Sequence, residues 1–220
     1  MKSESIDYIT VLLEVSSNPD GLIIQKSLAY LQRFMSGYRN GVSIVGIKPD
    51  EGLEIWSDFE AAVHRGTGEN GTVYECFYRH NYDDSEAWRD MIAELQKFVV
   101  AKNLSLEPDV TKTQVVRIKL FNDIMAGLFM RPFLYLNAPS ISYLAQFMNG
   151  LLYAIRRHCV DNSIEQRMHE FERWVQRERS VHPLMRWDRV LLINSGFNEE
   201  GAFQRFKDSY GAFTNENTTP

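Results

Sequence analysis

Ser27–Gly37 reads SLAYLQRFMSG, and 113 residues later Ser140–Gly150 reads SISYLAQFMNG. Six of the eleven positions are identical: Ser27/Ser140, Tyr30/Tyr143, Leu31/Leu144, Phe34/Phe147, Met35/Met148 and Gly37/Gly150. Average composition would give about one match or fewer. Further matches lie on the same line. Pro19 falls on Pro132 at the same offset. At offset 112, FEAAVHR (Phe59–Arg65) falls on FERWVQR (Phe171–Arg177). At offset 115, YDDSEAW (Tyr82–Trp88) falls on FNEEGAF (Phe197–Phe203), and Phe98 then falls on Phe213. Collinear matches at a nearly constant offset predict an internal duplication. The expected units are residues 1–102 and 115–214, with a linker at 103–114 and a disordered polar tail at 215–220. Two units are too few for a solenoid, so the expectation is two similar units packed face to face about a pseudo-twofold.

The apolar spacing inside each unit is helical. Leu28, Leu31, Phe34, Met35 and Tyr38 share one helix face behind a capping Ser27. Ile141, Leu144, Phe147, Met148, Leu151 and Ile155 do the same behind Ser140. Phe59 and Val63 continue from Ile55 and Trp56, as Phe171, Trp174 and Val175 continue from Met168. Trp88, Met91, Ile92, Leu95 and Phe98 predict the last helix of the first unit. Ala202, Phe203, Phe206, Tyr210 and Phe213 predict that of the second. The fold class is all-α, with about ten helices. Ser43–Ile47 and Val73–Tyr78 are candidates for short strands.

Composition sets bounds on what this fold can do. The 220 residues are 44% hydrophobic and 12% aromatic, which is enough for a substantial core. Cys76 and Cys159 cannot make a four-thiolate zinc site or a disulfide framework. They read as free thiols of a cytoplasmic protein. Neither the N-terminus nor Ile124–Met130 has the ~20 apolar residues of a membrane span.

Chemical motifs are few. Gly66–Gly71 matches G-x-G-x-x-G, but a charged helical segment precedes it where a dinucleotide site needs a buried strand. It reads as an interhelical loop, and no cofactor is expected. None of the five histidines forms H-E-x-x-H or a zinc spacing. Cys76 and His80 are four apart and would share a helix face, but a nucleophilic pair also needs an orienting group. No catalytic or metal-binding residues are therefore assigned.

Charge is unevenly divided. Residues 1–110 hold 10 Lys+Arg and 18 Asp+Glu, a net of −8; residues 111–220 hold 14 and 11, a net of +3. The acids of the first half fall into two runs: Asp50, Glu51, Glu54, Asp58 and Glu60, then Asp83, Asp84, Glu86, Asp90 and Glu94. Eight of these, Asp50, Glu51, Glu54, Asp58, Asp83, Asp84, Glu86 and Asp90, are the candidate partner-binding residues, forming a docking face for a basic partner. The bland alternative is solvated helix faces with i,i+4 pairs such as Glu165 with His169. The arginines of the second half include Arg156, Arg157, Arg167, Arg173, Arg177, Arg179, Arg186 and Arg189. They would serve a nucleic-acid-associated regulator only as a continuous stripe, and the overall −5 counts against that class. An enzyme with a site between the two halves is the other alternative.

The second unit also carries a wider pattern. Arg131-Pro132-Phe133-Leu134-Tyr135-Leu136 is followed by Ser140-Ile141 and Leu144–Gly150, then Phe171-x-x-Trp174-Val175, Trp187, and Glu199-Glu200-x-Ala202-Phe203-x-x-Phe206. This succession resembles small helical bacterial immunity proteins, encoded beside polymorphic or contact-dependent toxins. The resemblance covers about residues 117–213, with a weaker echo over 8–99. It implies a non-enzymatic protein that neutralises a cognate toxin by direct binding. If that toxin is a nuclease, its basic groove would suit an acidic face.

Overall fold

The computed structural model describes residues 7–19, 21–47, 50–81, 83–104, 112–113 and 115–218. Among these the chain is all-α. The first half contributes α1 (Asp7–Ser17), α2 (Leu28–Ile44), α3 (Asp50–Thr67), α4 (Val73–His80) and α5 (Asp84–Ala101). The second contributes α6 (Ile118–Met130), α7 (Pro132–Leu136), α8 (Ile141–His158), α9 (Ser163–Glu178), α10 (Trp187–Asn194) and α11 (Glu199–Thr218). In order and length, α1 to α5 correspond to α6, α8, α9, α10 and α11, with the five-residue α7 inserted.

The centre of the molecule is the packing of α2 against α8. Both helices are lined with large apolar side chains, yet their backbones touch. A Cβ on Gly37 would lie 1.9 Å from the Phe147 carbonyl oxygen, and one on Gly150 would lie 1.9 Å from that of Phe34. The contacts are reciprocal, since Phe34 and Phe147 hold the same position in the aligned sequence windows. Tyr30 meets Tyr143 edge-on, with ring centroids 5.7 Å apart. Gly41 faces Ala154, its sequence counterpart. Like meets like along the seam, so the two helices run in the same direction and in the same register. Phe34, Met35, Phe147 and Met148 are all buried, as their spacing requires.

Parallel helices put two positive helix ends side by side, and carboxylates cover both. Asp84 accepts from the Leu28 amide at 2.8 Å. Glu199 accepts from the Ser142 amide at 3.0 Å and from the hydroxyls of Ser140 and Ser142. Ser140 also caps its own helix by accepting from the Tyr143 amide. Ser27 stands at the N-cap of α2 without using its side chain as the cap; Asp84 takes that place. At the other end of α8, Arg156, Arg157 and His158 lie in the last turn, where cations are favoured.

The apolar residues form two clusters. One is built from α1 to α5 and reaches across to Ala154. The other is built from α6 to α11 and takes in Ile44 and Val45 from the end of α2. The chain entering α6 is tied to both central helices: the Arg117 amide donates to Ile44, and Thr113 exchanges backbone hydrogen bonds with His158 and Val160.

Neither candidate strand forms. Val73–Tyr78 lies within α4, because Thr72 and Glu75 make a reciprocal capping box that starts a helix before Val73, Tyr74 and Cys76 are buried on one side of it. Ser43 and Ile44 finish α2, and the next residues turn through Gly46 at φ +80°. At the C-terminus, residues 215–218 continue α11 where a polar tail was expected, and Glu216 accepts from the Trp174 indole at 2.8 Å. Most of the expected linker, residues 105–111 and 114, lies outside the described residues.

A glycine-to-alanine pair tests the seam. Gly37→Ala forces a methyl onto a backbone oxygen that cannot rotate away, and should cost about 3 kcal/mol or more in urea unfolding. Gly211→Ala, in α11 with nothing within 4 Å, should leave stability unchanged or raise it by up to ~1 kcal/mol.

Candidate functional site

The two acidic runs land on α3 and α5, which share an aromatic contact between Phe59 and Phe98 at 5.4 Å. Glu54 and Asp58 are exposed on α3. Asp58 pairs with Lys102, just past α5, at 3.1 Å. Asp50 and Glu51 open α3, but their side chains lie outside the described residues. Glu86, Asp90 and Glu94 are exposed and fall four apart on α5, which places them in one stripe along the helix. Asp83 and Asp84 do different work. Asp83 is the N-cap of α5 and accepts from the Ser85 amide at 2.6 Å. Asp84 is half-buried and committed to the Leu28 amide, so it serves the fold. It also faces Tyr78, whose hydroxyl is pushed well above its ordinary range by burial and by this carboxylate.

Between α3, α4 and α5 lies an open groove of about 560 Å³. Its floor is apolar: Phe59, Ala62 and Val63 from α3, Cys76 and Phe77 from α4, and Phe98 and Ala101 from α5. Asp90, Glu94, Lys97 and His80 line its polar parts, and Lys97 is paired with Glu94. The groove thus runs beside the acidic stripe of α5. It was not foreseen from the sequence. Its one written signal was Ala61-Ala62 standing where the aligned window has Arg173-Trp174.

Cys76 and His80 both line this groove and share α4, as their spacing predicts. Their environments do not make a nucleophile. Burial raises the Cys76 thiol pKa, with Glu69 adding to the effect, which is the reverse of thiolate activation. His80 instead lies 3.2 Å from Glu69. The Gly66–Gly71 segment joins the end of α3 to the cap of α4, so a helix precedes it and no strand does. His64 closes that loop by donating from Nε2 to the Gly71 carbonyl at 2.8 Å. Among the described residues no three His, Cys, Asp or Glu side chains cluster as a metal site. No helix described is long and apolar enough to cross a membrane.

Several arginines of the second half are paired with carboxylates. Arg157 reaches across to Glu14 at 2.9 Å, Arg156 pairs with Glu165, and Arg186 pairs with Asp188. Glu165 also lies 3.7 Å from His169, the pairing expected of that spacing. Arg167 lies over the Tyr210 ring. Arg173, Arg177, Arg179 and Arg189 are exposed. The seam between the halves, where the backbones of α2 and α8 touch, is filled along Gly37, Gly41 and Gly150. In the first half Arg33 is buried on α2 over the Tyr143 ring at 5.2 Å, and burial lowers its pKa.

Compared with protein-family models, with curated proteins and with solved structures, the chain matches none. The site is therefore read on its own geometry.

Thiol reactivity checks the reading of Cys76. Both cysteines are buried. A disulfide reagent at pH 7 should label the native protein slowly and both thiols at once after denaturation. One rapidly reacting thiol in the folded protein would contradict it.

Proposed function

We propose that this chain is a protein-binding module of the immunity-protein kind, which neutralises a toxin by covering its basic working surface. The supporting observation is the acidic face itself. Glu54 and Asp58 on α3 and Glu86, Asp90 and Glu94 on α5 are exposed beside an open apolar groove. Apolar floor with a charged rim is the usual anatomy of a protein interface: the centre supplies desolvation, and the rim supplies orientation and steering. The net −8 of the first half would draw in a basic partner over distances up to about a Debye length, ~8 Å at physiological salt. The sequence resemblance of residues 117–213 supports the same class. On this reading the second half holds the first in shape, and the duplication has left one copy as scaffold and the other as binder.

Charge reversal separates binding from folding. Glu54→Lys, Glu86→Lys and Asp90→Lys together replace exposed groups, so the melting temperature should move little. Cells expressing the cognate toxin domain should survive with the wild type and die with the triple variant. The association rate should fall about tenfold or more at low salt and much less at high salt. Full protection by the triple variant with unchanged rates would move the interface away from α3 and α5. No protection by the wild type would sink the immunity reading.

A further inference from the structure

The two halves differ at one place that bears on binding. In the second half, Phe171 and Phe213 meet at 5.5 Å. Trp174 stacks on Phe171 at 6.4 Å and meets Phe213 at 6.3 Å, and its indole N–H donates to Glu216. In the first half, Phe59 and Phe98 are the aligned residues and make the same contact at 5.4 Å. But Ala62 stands in the position of Trp174, and Ala101 in that of Glu216. Both alanines line the groove of about 560 Å³. The open space is thus where the other half keeps an indole and the carboxylate that holds it.

We infer that the groove between α3, α4 and α5 is a socket for one bulky aromatic side chain, supplied by a partner protein on a segment rich in Lys and Arg. Two independent observations choose this occupant. The second half fills the same aromatic pair with tryptophan, which fixes the shape and chemistry the floor accepts. The groove is flanked on α5 by Asp90 and by Glu94, which is paired with Lys97, in line with exposed Glu86, so the flanking charge is net negative. A buried aromatic anchor ringed by charge is the pattern of an interface hot spot. The inference deepens the protein-binding reading and rests on it, since it names what the acidic face holds at its centre.

Filling the socket from within is the test. In Ala62→Trp the protein's own indole should take the space, as Trp174 does, and the variant should melt no lower than the wild type. Ala62→Leu fills part of the groove and serves if the larger side chain disturbs folding. The probe is a fluorescein-labelled peptide, acetyl-Lys-Arg-Ala-Trp-Ala-Arg-Lys-amide, followed by anisotropy. It should bind the wild type, and both variants should weaken it, Ala62→Trp by about tenfold or more. Replacing the peptide's Trp with Ala, or its Lys and Arg with Glu, should weaken it by a similar factor. No binding to the wild type, or equal binding to Ala62→Trp, overturns the socket. Equal binding of the Glu peptide overturns the basic partner. Free indole competing as tightly as the peptide would make the groove a small-molecule site and overturn a protein occupant. The peptide result does not depend on any toxin. In the survival assay, protection retained by Ala62→Trp but lost by the charge-reversal variant would sink the socket and leave the immunity reading standing.

Discussion

At the centre of the molecule two helix backbones pack directly against each other. At the crossing of α2 and α8, Gly37 rests on the carbonyl of Phe147 and Gly150 on that of Phe34. Only a residue without a Cβ allows this approach, and a carbonyl oxygen in a helix cannot move aside. Close approach then fixes the rest of the seam. Tyr30 meets Tyr143, Gly41 meets Ala154, and the four large side chains Phe34, Met35, Phe147 and Met148 are buried around it. Both apolar clusters hang on these helices. The end of α2 lies in one, and Ala154 of α8 lies in the other.

Parallel packing carries an electrostatic cost that the surrounding helices offset. Two helix N-termini lie side by side, each with unsatisfied amides. Asp84 and Glu199, at the starts of α5 and α11, reach back and accept from them. These two helices are thereby pinned to the central pair at the same end. α5 in turn carries the exposed Glu86, Asp90 and Glu94, so the acidic stripe begins two residues past this half-buried cap. Across the seam, Arg157 of α8 binds Glu14 of α1 and is held by Tyr153.

The two aromatic pairs differ in what lies over them. The aromatic pair Phe171 and Phe213 is covered by Trp174; the pair Phe59 and Phe98 is left beside Ala62 and Ala101. One region is closed and the other is open. The open one lies next to the acidic face, which is why the proposed function is assigned to the first half.

The sequence by itself determined the class of the fold and its pivotal residues. Helical periodicity holds wherever the apolar spacing is three and four, and the aligned Ser27–Gly37 and Ser140–Gly150 windows contain the glycines and phenylalanines that meet. It left a short strand open at Val73–Tyr78, where β-prone residues form a helix that the Thr72–Glu75 cap decides. It placed Asp84 at a helix start and in the docking face, although the residue caps a helix 56 positions away in the chain. Tertiary structure alone decided that α2 and α8 run parallel, that Asp84 turns inward while Asp90 faces out, and that a groove opens above Phe59 and Phe98. The physical reason is the same in each case. Periodicity reports which face of a helix is buried, but the partner of that face, and the space left between partners, depend on residues far apart in sequence.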